Sequence, residues 1–255
     1  MRTTFKHIAF PREHGSWALT FEPLILALTV GFSSAGLLLF FGAAFAFLAH
    51  QPARVLISDK ERPPLAWIMF FAYGLVALVF AIFYLQQADL NQPLPALIAV
   101  GLMVLYLVAE YFDLHRALLT EMMGSVAMGL IALSIVLADA WPWNKAWPFL
   151  ILLYLRSLST TLYVHFRLKL DRKKQRSILW PEIWQILTLL IAIVLRFNEA
   201  IPFLAFLSVV ILSIRGIYGL SPWRNPMTVK QIGLAEFFFG LVFLILSAVG
   251  YFSWT

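Results

Sequence analysis

Nine apolar runs, at residues 17–32, 37–49, 65–85, 94–109, 122–138, 149–166, 183–195, 201–218 and 232–254, alternate with short polar segments along the chain. A helix needs about 20 mostly apolar residues to cross the hydrocarbon core of a bilayer. The shorter runs reach that length when flanking residues stay helical or snorkel. The pattern predicts an all-α polytopic membrane protein, with nine transmembrane helices forming a single domain over residues 1–255. The polar lead-in at 1–16 reads as cytosolic and not as a cleavable signal, because the next run contains Glu22 and no small-residue cleavage site follows.

Charge supplies the orientation. The segment YVHFRLKLDRKKQR at residues 163–176 gathers Arg167, Lys169, Arg172, Lys173, Lys174 and Arg176 between two apolar runs. A stretch so basic belongs in water, and by the positive-inside rule that water is the cytosol. With this loop inside, the other inner segments hold Arg2, Lys6 and Arg12; Arg54, Lys60 and Arg62; Arg116; and Arg215, Arg224 and Lys230. The outer loops hold only Lys145 and Arg196, and Arg156 falls within a span. The expected topology has a cytoplasmic N-terminus and an external C-terminus. Short outer connections with turn formers, such as NQPLP at 91–95 and WPWN at 141–144, agree with it.

Composition removes most function classes. With 62% hydrophobic residues, a mean hydropathy of +0.85 and 23 Phe, the chain leaves no room for a soluble domain. The net charge of +6 sits at helix ends, where orientation and anionic lipid account for it, so membrane lipid and not nucleic acid is the expected partner. The absence of cysteine excludes disulfides, a thiolate nucleophile and Cys-ligated metal. There is no HExxH, P-loop, Rossmann glycine pattern or nucleophile elbow, and neither a cofactor nor a metal is expected.

The candidate chemistry lies in ionisable residues within spans and at inner helix ends. Arg156 stands half-way along its run, with Glu22 and Glu236 shallower in theirs. Each costs about 2.5–3.5 kcal/mol at a helix centre on insertion scales. They line a polar cavity or form structural ion pairs. In PREHGSW at 11–17, Arg12 and His14 precede a helix start, an arrangement suited to an anion or, more plainly, to an interfacial anchor. His50, Arg54 and Ser58 are four apart and share a face if the helix continues past Pro52. Together with Arg167 and Lys169 they suit a phosphate, or else simply set topology. Glu121, at the start of the fifth run, is a candidate acid or base, or a favourable charge at a helix N-terminus.

Four stretches carry a resemblance: PREHGSWAL at 11–19, HQPARVLISDKERPP at 50–64, LYVHFRLKLDRK at 162–173 and KQIGLAEF at 230–237. Through them the chain resembles the YwiC-like family of bacterial membrane proteins, which implies the bacterial cytoplasmic membrane but no established activity. More distantly it is similar to the UbiA superfamily of intramembrane prenyltransferases, whose nine helices enclose a cytosol-facing cavity. Those enzymes hold Mg²⁺ on a prenyl diphosphate through two Asp-rich motifs after the second and sixth helices. At the matching positions this chain has His50, Gln51, Arg54 and Ser58, then Val164 and Arg167, with Asp171 alone retained. The resemblance therefore implies a UbiA-like bundle with a basic cavity for an anionic lipid or isoprenoid phosphate. If it is catalytic, it would be a metal-independent transferase in which Arg54, Arg156 and Arg167 hold the anion and His14 or Glu121 moves a proton. The rival expectation is a small-solute transporter or a non-catalytic membrane partner that uses Arg156 and Glu22 as polar lining.

Overall fold

A computed structural model describes residues 5–10, 14–58, 62–112, 118–172 and 179–254. Among them the chain forms ten helices and no strand: α1 (Phe5–Ala9), α2 (His14–Val30), α3 (Ser34–Ser58), α4 (Pro64–Gln87), α5 (Leu94–Tyr111), α6 (Leu118–Ala138), α7 (Trp143–Asp171), α8 (Leu179–Phe197), α9 (Phe203–Leu220) and α10 (Val229–Phe252). Eight of these, α3 to α10, are long and apolar enough to cross a membrane, and α2 contributes a shorter apolar stretch, Trp17–Val30. Each apolar run of the sequence thus becomes one helix. The protein is an all-α, multi-pass membrane protein.

Several helices outrun their apolar segments. α3 continues through Pro52 to Ser58, and α7 extends from Trp143 to Asp171. A helix satisfies its own backbone groups, so it need not stop where lipid gives way to water. Arg215, which the charge pattern assigns to an inner loop, lies inside α9 with five residues still to come before its end at Leu220. Helix starts follow proline chemistry. Pro64 opens α4, Pro95 lies in the first turn of α5 and Pro202 precedes α9, positions where a missing N–H goes unnoticed. At α5 the exposed end of the ladder is met from outside, since the Ala96 N–H donates to the buried Ser134 hydroxyl at 3.0 Å. α10 opens with a capping box between Thr228 and Gln231.

The chain divides into two compact units, Met1–Pro142 and Trp143–Thr255. In the first, α3 packs on α4, α5 on α6, and α6 also meets α2 and α3, while the short α1 rests on α3 and α4. Its core is built on α6, where Ala127, Ala132, Leu133, Ser134, Ile135 and Val136 are fully buried. In the second unit α9 is central and touches α7, α8 and α10. Most of its inward positions are small, Ala205, Ser208, Ser213, Gly216 and Gly219, beside Val209, Leu212 and Leu220. Small side chains let helix backbones approach closely where lipid supplies no hydrophobic drive between helices. The large apolar residues point outward instead. On α4, Ile68, Phe71, Leu75, Leu78 and Ile82 are exposed at helical spacing, and only Ala66 and Tyr84 are buried. Such a surface suits lipid and not water.

Two tight turns close without glycine. Ala140 after α6 and Glu199 after α8 take φ of 60° and 52°. In each turn the following amide reaches back five residues, Trp141 to the Val136 carbonyl at 3.2 Å and Ala200 to the Leu195 carbonyl at 2.9 Å. These are Schellman closures, which satisfy the last carbonyls of the helix.

Candidate functional site

Charged and polar side chains gather at three places, one in the first unit and two in the second. At the end of α3 the continuation past Pro52 puts His50 and Arg54 on one face, one turn apart. Glu110, in the last turn of α5 and only 3% exposed, faces them. Its Oε2 accepts from His50 Nε2 at 3.1 Å, and its Oε1 lies 3.4 Å from Arg54 Nε. Tyr106, one turn earlier on α5, sets its ring edge-to-face against His50 at 5.1 Å. Gln51 is buried beside this group, whereas the Arg54 side chain remains 30% exposed. Sequence reasoning missed Glu110 as a partner because it sits in a mixed-charge stretch that reads as loop.

The second place is the far end of α7. Arg167 is 1% exposed. Its Nε donates to Asp171 Oδ2 at 2.8 Å, and its two terminal nitrogens donate to the carbonyls of Gly219 and Asn225. Asp171 also receives Arg224 Nε at 3.2 Å and the Met227 amide at 3.3 Å. Two neighbouring residues of α7 thereby hold the end of α9 and the connection to α10 in place.

The third place lies within the spans of the second unit. Arg156, Thr160, Tyr163 and Arg167 follow one another at spacings of three and four along α7, with Ser159 beside Thr160, a polar stripe on an apolar helix. Arg156 is buried and donates to the Thr160 hydroxyl oxygen. Arg215 on α9 reaches the same oxygen at 3.4 Å and pairs with Glu236 on α10 at 2.7 Å. Its guanidinium lies 4.2 Å from the Tyr163 ring centre and 5.4 Å from that of Phe239, while Arg156 lies 6.0 Å from Phe243. Glu236, Phe239 and Phe243 share one face of α10. Next to this group Ser159 donates to Gln185 of α8 at 2.8 Å, and Gln185 returns a bond to the Ser159 carbonyl at 3.3 Å. The stripe on α7 was available in the sequence as a period; Arg215 and Gln185 as its partners were not.

The remaining candidates are spread out. Glu22 is half-buried on α2, next to Phe21, whose ring stacks on Trp17 at 5.7 Å. Arg12 lies outside the described residues, as do the side chains of His14, at the start of α2, and Glu121, in the first turn of α6. His50, Gln51 and Arg54 belong to the first unit, and Arg156, Arg167, Asp171 and Glu236 to the second. No three His, Asp or Glu side chains gather as a metal-binding group among the described residues. The two helix-end carboxylates, Glu110 and Asp171, face arginines instead. That donor set does not fit the oxygen cage a Mg²⁺ ion requires.

A model of the YwiC-like protein family matches residues 10–136. That stretch contains the His50–Arg54–Glu110 group and nearly all of the first unit. A protein of Bacillus subtilis (strain 168), described as "Uncharacterized protein YwiC", is 25% identical over 211 residues, a match covering 77% of this chain and 81% of the relative. No solved structure matches the chain. With nine apolar helices among its described residues, the chain is a multi-pass membrane protein that is similar over residues 10–136 to the YwiC-like family.

Proposed function

We propose that this protein binds an anionic amphiphile, an isoprenoid phosphate or another anionic lipid, from the cytosolic face of a bacterial cytoplasmic membrane. His50 and Arg54 receive the headgroup. The observation that supports it is their shared anchorage: Glu110 holds both on one face of α3, while 30% of the Arg54 side chain remains accessible. A guanidinium oriented in this way presents parallel donors to a phosphate, and charge-assisted hydrogen bonds of that kind are strong. The distribution of Lys and Arg supports the orientation, N-terminus inside and C-terminus outside. A nine-helix, UbiA-like bundle without its metal is the frame in which such binding leads on to metal-independent transfer, with His14 or Glu121 as the proton carrier. Geranylgeranyl diphosphate titrated into purified protein with Mg²⁺, and again with EDTA, tests the reading. Binding that survives EDTA and is lost in Arg54→Ala upholds it; no binding in either condition ends it.

The second reading, a small-solute transporter, is favoured by a different observation, the polar stripe of α7 with buried Arg156. It requires solute flux that depends on Arg156 and Glu22, with no covalent product.

A further inference from the structure

The charge pattern leaves two cations to the outer loops, Lys145 and Arg196. In the second unit both come to one residue. Lys145, in the first turn of α7, sets its Nζ 6.0 Å from the centre of the Trp254 ring, just past the end of α10. Arg196, in the last turn of α8, lines a cavity of about 320 Å³ together with the same Trp254, Pro202 and Phe203. Ligand pockets run from roughly 300 to 1,000 Å³, so this one takes a headgroup and not a whole lipid. Lys145 and Arg167 stand near opposite ends of α7, which places the cavity at the end of the unit away from the Arg167–Asp171 group. Arg196 is half-buried, and Glu199, the carboxylate nearest to it in sequence, is exposed in the following turn and does not line the cavity. α9 also opens here, and its N-cap, Pro202, gives the first amides no side-chain acceptor.

We propose that this cavity binds the phosphodiester headgroup of an anionic phospholipid, at the face of the membrane opposite the basic loops. Lys and Arg are scarce at that face because they oppose the orientation of the chain. Two that meet at one tryptophan do not serve topology, and a ligand gives them a use. The guanidinium fork of Arg196 matches a phosphate edge, and Lys145 adds a point charge beside Trp254. The rim selects a lipid over a soluble anion. Phe203 in the lining is 57% exposed, and Phe197 and Phe252, next in sequence to Arg196 and Ser253, are 84% and 59% exposed. Acyl chains cover such rings, and Trp254 sits where indoles favour the headgroup layer. A zwitterionic head would bring its own cation against Lys145 and Arg196, so the net charge of the ligand is negative. The site shares no residue with the His50–Arg54 site on α3, and it stands or falls apart from it.

The full-length protein in neutral detergent is titrated with phosphatidylglycerol, with phosphatidylcholine and, at matched ionic strength, with sodium phosphate. An Arg54→Ala background takes the α3 site out of the measurement. Thermal unfolding reports binding, since a ligand of the native state raises the midpoint by mass action. Phosphatidylglycerol should raise the midpoint saturably in that background, and phosphatidylcholine should not. Adding Arg196→Gln should weaken the binding at least tenfold, and adding Lys145→Gln at least threefold. Native mass spectrometry counts the lipid directly: Arg196→Gln should retain one phosphatidylglycerol fewer per chain than its parent. The proposal is overturned if the two lipids act alike, if Arg196→Gln binds and retains phosphatidylglycerol as its parent does, or if sodium phosphate reproduces the shift, which would make the ligand a free anion. The lipid count of wild type against Arg196→Gln decides the matter even where the double variant does not fold.

Discussion

Arg167 on α7 donates to the main-chain carbonyl of Gly219 on α9, a partner 52 residues away in sequence. The same guanidinium holds Asp171 and the Asn225 carbonyl, so one side chain closes a helix end and fixes the chain that leaves it. Replacing it takes one of three donors from a buried carboxylate and leaves two carbonyls without their guanidinium. Arg167→Ala is expected to lower stability by about 3–5 kcal/mol, the cost of breaking a buried pair from one side. In the double variant with Asp171→Ala the loss should be smaller than the sum of the two single losses. Denaturation in detergent of the four proteins measures both.

Glu110 answers two partners, His50 and Arg54, and its removal should therefore cost more than that of either one. Glu110→Ala is expected to be more destabilising than His50→Ala, and a double-mutant cycle between Glu110→Gln and His50→Ala should show coupling of about 0.5–3 kcal/mol. The effect is read as the shift in unfolding midpoint with each variant at matched pH.

Two groups of glycines stand at opposite extremes of the room around them. A Cβ at Gly216 would stand 2.6 Å from Gln185 Cδ, and one at Gly219 would stand 2.6 Å from the Tyr163 ring. Gln185 is tethered at both ends to Ser159 and has no room to retreat. Gly216→Ala and Gly219→Ala are expected to lose about 1–3 kcal/mol, as overpacking does. Gly101→Ala and Gly233→Ala meet nothing within 4 Å, and should be neutral or gain up to about 1 kcal/mol of helix propensity. Thermal unfolding of the four variants separates the classes.

Ala140 and Glu199 occupy the left-handed region at the two Schellman turns. Glycine takes that conformation without the roughly 1–2 kcal/mol clash of a Cβ, offset in part by the greater freedom of the unfolded chain. Glu199→Gly and Ala140→Gly should leave the fold intact and raise the unfolding midpoint slightly. A marked fall would mean that the side chains make contacts of their own.

Much of the architecture is legible in the sequence because lipid allows so few solutions. A run of apolar residues between basic loops has to be a spanning helix, and α2 to α10 correspond to the runs one for one. What the pattern does not carry is the rotation of each helix about its axis. In a helix apolar on every side, as α4 and α10 nearly are, no polar face marks the inside. Glu110 and Arg215 are cases in point. Both read as loop charges, since a charge near the end of a run resembles one just beyond it. Both lie on helices, buried against partners 60 and 21 residues away. The polar stripe on α7 was readable from its spacing, but its partners on α8, α9 and α10 come together only once the helices pack.

The pairing of Arg215 with Glu236 also sets an order on biogenesis. The chain is made from its N-terminus, so Arg215 leaves the ribosome before the carboxylate that answers it, which follows by 21 residues. Until α10 arrives, α9 brings a cation toward lipid without that counter-charge and is not expected to settle there by itself. α4, apolar from Leu65 to Leu85, faces no such wait. A chain interrupted before Val229 would present Arg215 to the membrane without Glu236, and such an unfinished copy is expected to be cleared faster than a finished one.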